Sequence, residues 1–171
     1  SIGGSAFSDC SSLISITIGK SVTSIGSYAF NGCSSLSAIT VDALNSGFSS
    51  VEGALFNKSQ TTLIRCPGGK AGSYTIPNTV TSIGDWALYS CIKVTSVTVP
   101  NNVTSIGESA FLFCTSLTGI FFQGNSPGLG PDAFYGDDIA TVYYLPGTAG
   151  WGSTFGGLPT VLWNARVQTS D

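Results

Sequence analysis

Short runs of alternating apolar and polar residues recur along this chain: Ile16-Thr17-Ile18, Ile39-Thr40-Val41, Tyr74-Thr75-Ile76, Val97-Thr98-Val99, Ile120-Phe121-Phe122 and Val142-Tyr143-Tyr144. Alternation at period two predicts short β-strands with one buried face. Ile16, Ile18 and their equivalents are therefore expected to point inward, and Ser15 and Thr17 outward. Between these runs lies a second recurring piece, Ser-Ile-Gly-x-x-Ala-Phe-x-x-Cys. It occupies Ser1 to Cys10, Ser24 to Cys33, Ser82 to Cys91 (with Leu88 for Phe) and Ser105 to Cys114, and a worn copy runs through Gly128, Gly130, Ala133 and Phe134. Cys10 to Cys33 and Cys91 to Cys114 are both steps of 23 residues. A fixed period of this size marks a solenoid, in which each unit buries its apolar side only against its neighbours.

The period breaks in the middle, where Cys33 and Cys91 lie 58 residues apart. Tyr74-Thr75-Ile76-Pro77 still aligns with Val97-Thr98-Val99-Pro100, so the additional residues precede Tyr74. Gly53-Ala54-Leu55-Phe56 and Thr61-Thr62-Leu63-Ile64 flank the polar turn Asn57 to Gln60, which predicts a β-hairpin. Pro67-Gly68-Gly69 then turns the chain back into the stack. The expected organisation is a solenoid over residues 1–150 with six rungs, starting near 1, 24, 47 (with the hairpin insertion), 82, 105 and 128. Trp151, Phe155, Leu158, Val161, Leu162 and Trp163 form an apolar C-terminal cap over 151–165. Residues 166–171 read as a linker to a further domain. Nothing comparable precedes Ile2, so upstream residues are expected to cover that end. An open edge there would allow head-to-tail self-association of this piece.

Composition narrows the function classes. Charged residues make up 9% of the 171, and the net charge is -3. The six basic residues, Lys20, Lys58, Arg65, Lys70, Lys93 and Arg166, are scattered, which argues against nucleic-acid binding. No apolar run approaches the length of a membrane span, so membrane insertion is not expected. Histidine is absent, which removes Ser-His-Asp and Cys-His nucleophilic chemistry. The acidic residues are sparse and do not repeat on the outward strand face, so the chain reads as non-enzymatic.

The unit Leu36-x-x-Ile39-x-Val41, with Val80-Thr81-Ser82-Ile83-Gly84-x-x-Ala87, resembles the BspA-like (Treponema pallidum-type) leucine-rich repeats of bacterial surface and secreted proteins. The resemblance covers residues 1 to about 150 through several copies, and Gly53 to Pro77 resembles the longer hairpin-bearing unit of that family. Leu145-Pro146-Gly147-Thr148-x-Gly150-Trp151 looks like the end of such arrays. The resemblance implies a mainly β, right-handed solenoid, with a parallel sheet on its concave side and short turns or 3-10 segments outside. It also implies an extracellular or cell-surface location and a role in adhesion or protein recognition. The last rung departs from the pattern: Asp137 stands where Cys is expected, and the following strand begins a residue early.

Cys10, Cys33, Cys91 and Cys114 share one repeat position and should form a structural ladder of small thiols capping backbone groups. Side chains in such a ladder run parallel, which disfavours a disulfide between neighbours. Cys66 falls in the hairpin's exit turn. No Cys-x-x-Cys pair exists, and no zinc or other metal is expected. Gly128-x-Gly130-x-x-Ala133 matches a dinucleotide fingerprint, but it lies in register with the Ser-Ile-Gly copies and is a decayed repeat. No cofactor is expected. Asp132, Asp137 and Asp138 read as a solvated edge, a calcium site being the alternative.

The outward strand positions carry Thr17, Thr40, Thr75 and Thr98 in line, after which the file turns aromatic at Phe121 and Tyr143. Threonine suits an exposed strand for its own sake. Exposed Phe121 and Tyr143, with Gln123 nearby, form the apolar patch with a polar handle that marks contact surfaces. The expected function is therefore recognition of a protein or glycan partner on the concave strand face. The alternatives are a structural spacer within a larger extracellular protein and, more remotely, ice or ordered-surface binding by the hydroxyl rank.

Overall fold

The computed structural model describes residues 1–163. The strands in chain order are β1 (Ser15–Ile18), β2 (Ala38–Val41), β3 (Phe48–Val51), β4 (Ala54–Asn57), β5 (Thr62–Arg65), β6 (Gly72–Thr75) and β7 (Ser82–Ile83). There follow β8 (Val94–Val99), β9 (Ser105–Ile106), β10 (Gly119–Phe122), β11 (Gly128–Leu129), β12 (Thr141–Tyr144), β13 (Thr154–Phe155) and β14 (Leu158–Leu162). The connecting segments are hydrogen-bonded turns, and no helix occurs among the described residues. The chain is a β-solenoid of about six turns.

The period-two runs form the expected parallel ladder. β6, β8, β10, β12 and β14 lie side by side in one six-stranded sheet, closed at its end by β13. Each inward residue rests on its equivalent one rung away, as in Ile120 beside Val97 and Val142. A second six-stranded sheet runs in the order β11, β9, β7, β5, β4, β3. The Ser-Ile of each repeat forms a two-residue strand, so that β7, β9 and β11 stack with Ile83 beside Ile106 and Ser105 beside Gly128. Ile2 and Ile25 make the same contact in the first two rungs. The glycine after each of these strands lies under the preceding rung: a Cβ on Gly107 would stand 2.6 Å from the Asp85 nitrogen. That distance explains why the motif ends in glycine.

The hairpin lies where the sequence places it, and β3 adds a third strand. β3 pairs with β4 and β4 with β5, both antiparallel, and β5 continues into the Ser-Ile sheet through Leu63 beside Ile83. This unit divides the core in two. Leu55 and Ile64 pack with Ile18, Phe30, Leu36 and Ile39 of the first two rungs. Ala54, Phe56 and Leu63 belong to a larger cluster running on to Val142 and Leu158. The front ladder is interrupted as well. β1 and β2 form a sheet of their own, and Ile39 N–H donates to the carbonyl of Gly53, in the β3–β4 turn, at 2.8 Å.

Candidate functional site

On the strand face, the outward residues fall into strict lateral register. Thr75, Thr98, Phe121 and Tyr143 form one row, which continues to Val161 in β14. Thr17 sits beside Thr40, but no strand pairing joins Thr40 to Thr75. The expected rank of four threonines is thus two separate pairs, because the β3–β4 turn takes the place of a strand between β2 and β6. The aromatic end is less open than the sequence implies. Phe121 and Tyr143 stack with ring centroids 4.8 Å apart and planes 10° from parallel, and Trp163 packs edge-on against Phe121 at 5.2 Å. The Phe121 ring folds back over Gly119, whose hydrogen in place of a Cβ leaves it room. Both aromatics are half-buried, while Gln123 at the end of β10 is exposed. The cap encloses Trp151 and Phe155 against Phe122, but Val161 and Leu162 face outward.

Behind the strands, the cysteine position reads as a ladder. Cys33 Sγ donates to Phe7 O at 3.0 Å and Cys114 Sγ to Leu88 O at 3.1 Å. Cys91 reaches the carbonyls of Cys66 and Pro67 more loosely, at 3.8 Å each. Cys10 is exposed, and all five cysteines are free thiols. Burial pushes the Cys114 thiol well above its ordinary range. Asp137 occupies the same slot in the last rung and is fully buried, with no partner for either carboxylate oxygen among the described residues. Burial raises its pKa to about 8, so the slot holds a neutral carboxyl at moderate pH. Asp132 and Asp138 remain exposed.

Three features escape sequence reasoning. Asn45 is fully buried. Its amide donates to Gly19 O and Val22 O at 2.9 Å each, and its oxygen accepts from Gly47 N and Phe48 N. Arg65 is only 6% exposed. Its guanidinium donates to Trp86 O at 2.7 Å and to Phe30 O and Tyr89 O at 3.2 Å each, and it lies 5.9 Å from the Tyr89 ring centroid. An aromatic chain also crosses the turn face, running Tyr28, Trp86, Tyr89, Phe113, Tyr135 with centroid spacings of 5.0 to 6.4 Å. Tyr135 is 63% exposed. These rings fall on three repeat positions, Tyr28 with Trp86, Tyr89 with Tyr135, and Phe113 alone, each of which carries a non-aromatic residue in other rungs, so the period alone does not single them out.

Comparison with known proteins places this architecture. No curated protein sequence is similar enough to count as a relative. Among solved structures, the chain is similar to a leucine-rich repeat protein from Eubacterium ventriosum ATCC 27560, at 26% identity and a TM-score of 0.58, over 78% of this chain and 43% of that one. It is similar to a leucine rich cell surface protein from Faecalibacterium prausnitzii A2-165, at 26% identity and 0.60, over 88% and 48%. The pneumococcal vaccine antigen PcpA shares the fold at 21% identity and 0.63, over 88% and 43%. The chain thus spans less than half the length of each. The model of the BspA type leucine rich repeat region matches residues 1–71 and 69–152 in six copies. With rungs, register and hairpin all accounted for, the chain belongs to the BspA-type leucine-rich repeat family.

Proposed function

We propose that this chain is a non-enzymatic recognition module of a secreted or cell-surface bacterial protein, holding a protein or glycan partner on its strand face. The observation that carries the reading is the row Thr75, Thr98, Phe121, Tyr143, which presents hydroxyls and then stacked rings at rung spacing. Such a row offers hydrogen bonds along one half and apolar area along the other, the mixture found in interface cores. Low surface charge favours recognition by shape and hydroxyl groups over electrostatic steering. Similarity to a cell-surface leucine-rich protein supports the location. The division of the threonines into two pairs weakens the ice-binding alternative, which needs an unbroken flat rank.

The test is binding of the purified chain to immobilised extracellular-matrix proteins and to a glycan array. Thr75→Lys with Thr98→Lys, which adds bulk and charge without removing core packing, is expected to lower the retained signal at least about tenfold. Binding that survives this pair and Tyr143→Ser, in chains with unchanged circular dichroism, would favour the spacer reading.

A further inference from the structure

On the turn face, successive rungs are joined by three backbone hydrogen bonds. In the first rung the N–H groups of Ser5, Phe7 and Asp9 donate to the carbonyls of Ser27, Ala29 and Asn31 at 3.0, 2.9 and 2.7 Å. Trp86, Leu88 and Ser90 donate likewise to Glu108, Ala110 and Leu112, and Ser109, Phe111 and Phe113 to Pro131, Ala133 and Tyr135. The equivalents in the second rung are Tyr28, Phe30 and Gly32. Among the described residues their N–H groups meet no acceptor.

The cause is a shortened third rung. Fourteen residues lead from Ile25 to Ile39 and from Ile83 to Val97, but only eleven from Leu63 to Tyr74. The turn that should face the second rung is cut short, and the Arg65 side chain fills part of the space. A cleft of about 210 Å³ remains, walled by Tyr28, Phe30 and Asn31 on one side and by Asp85 and Trp86 on the other, with Leu55, Ile64 and Arg65 at its base. Gly32 opens onto a neighbouring cavity that Arg65 also lines.

The chemistry of this cleft is one-sided. Tyr28 and Gly32 are left-handed, with φ of 60° and 67°. Of these only Tyr28, with Phe30, lines the cleft itself; turn N–H groups set free in this way form the kind of arrangement that binds anions. In other rungs carbonyl oxygens fill this place. Arg65 adds a positive charge whose hydrogen-bond partners are three neutral carbonyls. The one carboxylate at the wall, Asp85, is turned away and accepts from Glu108 N at 2.8 Å through Oδ1. The Tyr28 and Trp86 rings meet edge to face, with centroids 5.0 Å apart and planes 67° from parallel, and give the mouth an apolar rim.

We propose that this cleft binds the carboxylate of an acidic saccharide. The carboxylate oxygens take the place of the missing carbonyls at Tyr28 and Phe30 N–H, within the field of Arg65. The sugar ring lies on the rim formed by Tyr28 and Trp86, with Asn31 within the same wall to bond its hydroxyls. The cavity has the size of a single sugar unit, which is too little for a peptide segment replacing the whole missing turn. The site is on the opposite face from the threonine and aromatic row, so it stands or falls independently of the strand-face reading.

The test is titration of the ¹⁵N-labelled 171-residue chain with sodium glucuronate, glucose and sodium acetate, followed by amide and indole NMR shifts. Glucuronate is expected to move the Tyr28 and Phe30 amides and the Trp86 indole with saturation, glucose to bind at least about tenfold more weakly, and acetate to move the amides alone. Asp85→Asn keeps the acceptor for Glu108 and removes a like charge, so it should tighten glucuronate binding about fivefold. Trp86→Ala should weaken it without abolishing the acetate response. Absence of shifts at Tyr28 and Phe30 with glucuronate would overturn the proposal. So would equal binding of glucose, or identical acetate and glucuronate responses with no movement of the Trp86 indole.

Discussion

The thiol of Cys114 donates a hydrogen bond to the carbonyl oxygen of Leu88, 3.1 Å away and one rung earlier. Cys33 makes the same bond to Phe7. A buried thiol is a weak donor, but it is small, apolar and neutral, which suits a position with no access to water. The last rung puts Asp137 into this slot, where the equivalent carbonyl belongs to Phe111. Buried there with no partner for either oxygen among the described residues, the carboxyl is favoured as the neutral acid.

Stability should therefore depend on the Asp137 proton. Burial raises its pKa from an ordinary 3.8 to about 8 in the folded chain. The folded state holds a proton that the unfolded state has released, so this group's contribution is full below pH 4 and declines as pH rises towards 8. Asp138 alongside it raises the pKa further, while the backbone of Cys114 one rung back works in the opposite direction. Asp137→Asn should gain on the parent chain by about 1.4 kcal/mol per pH unit between pH 5 and 7. Parallel urea-unfolding curves for the two chains over that range would refute it.

Arg65 holds the shortened rung in place by reaching carbonyls on both sides of it. Arg65→Met keeps much of the apolar stem and leaves the buried carbonyl of Phe30 and the part-buried carbonyl of Tyr89 without the guanidinium. The expected loss is about 3 kcal/mol. Arg65→Lys should recover little, since a single ammonium cannot reproduce the fork. Denaturant midpoints measure both, and an unchanged midpoint in Arg65→Met would count against the staple.

Gly107 allows its strand to pass beneath the fourth rung. A methyl there would stand 2.6 Å from the Asp85 nitrogen, and backbone cannot yield as a flexible side chain does. Gly107→Ala should cost about 3 kcal/mol or more, whereas Gly3→Ala, with nothing within 4 Å of the added carbon, should be close to neutral. Thermal melts of the two variants provide the comparison.

Asn45 satisfies two carbonyls and two N–H groups at the entrance to the hairpin. Asn45→Asp retains the acceptor but loses the donor and buries a charge, so both Asn45→Asp and Asn45→Ala should lower stability by about 2–4 kcal/mol. If Asn45→Asp melts with the parent at neutral pH, the amide donor is not what holds this turn.

Much of the fold was legible because a solenoid writes its long-range contacts as local repetition. Ile16 and Ile39 announce their pairing by standing 23 residues apart. The hairpin was legible from Asn57 to Gln60 as a turn between apolar runs. What stayed hidden breaks the repetition or is too short to show a period. The Ser-Ile strands are two residues long and cannot display alternation. Arg65 and Asn45 occur once each, and nothing near them in sequence marks a buried role. Phe121 and Tyr143 were legible as a pair, but the packing of Trp163 against Phe121 depends on where the cap returns. The open N–H groups of Tyr28, Phe30 and Gly32 follow from three residues missing in another rung.

The partition made by the hairpin has a mechanical consequence. Seven buried residues hold the first two rungs, against twenty-seven in the cluster beyond, among the described residues. Tension applied along the solenoid axis would find its weakest seam at that wall. The leading pair would peel away first, as a separate yielding step, while the longer block kept its shape.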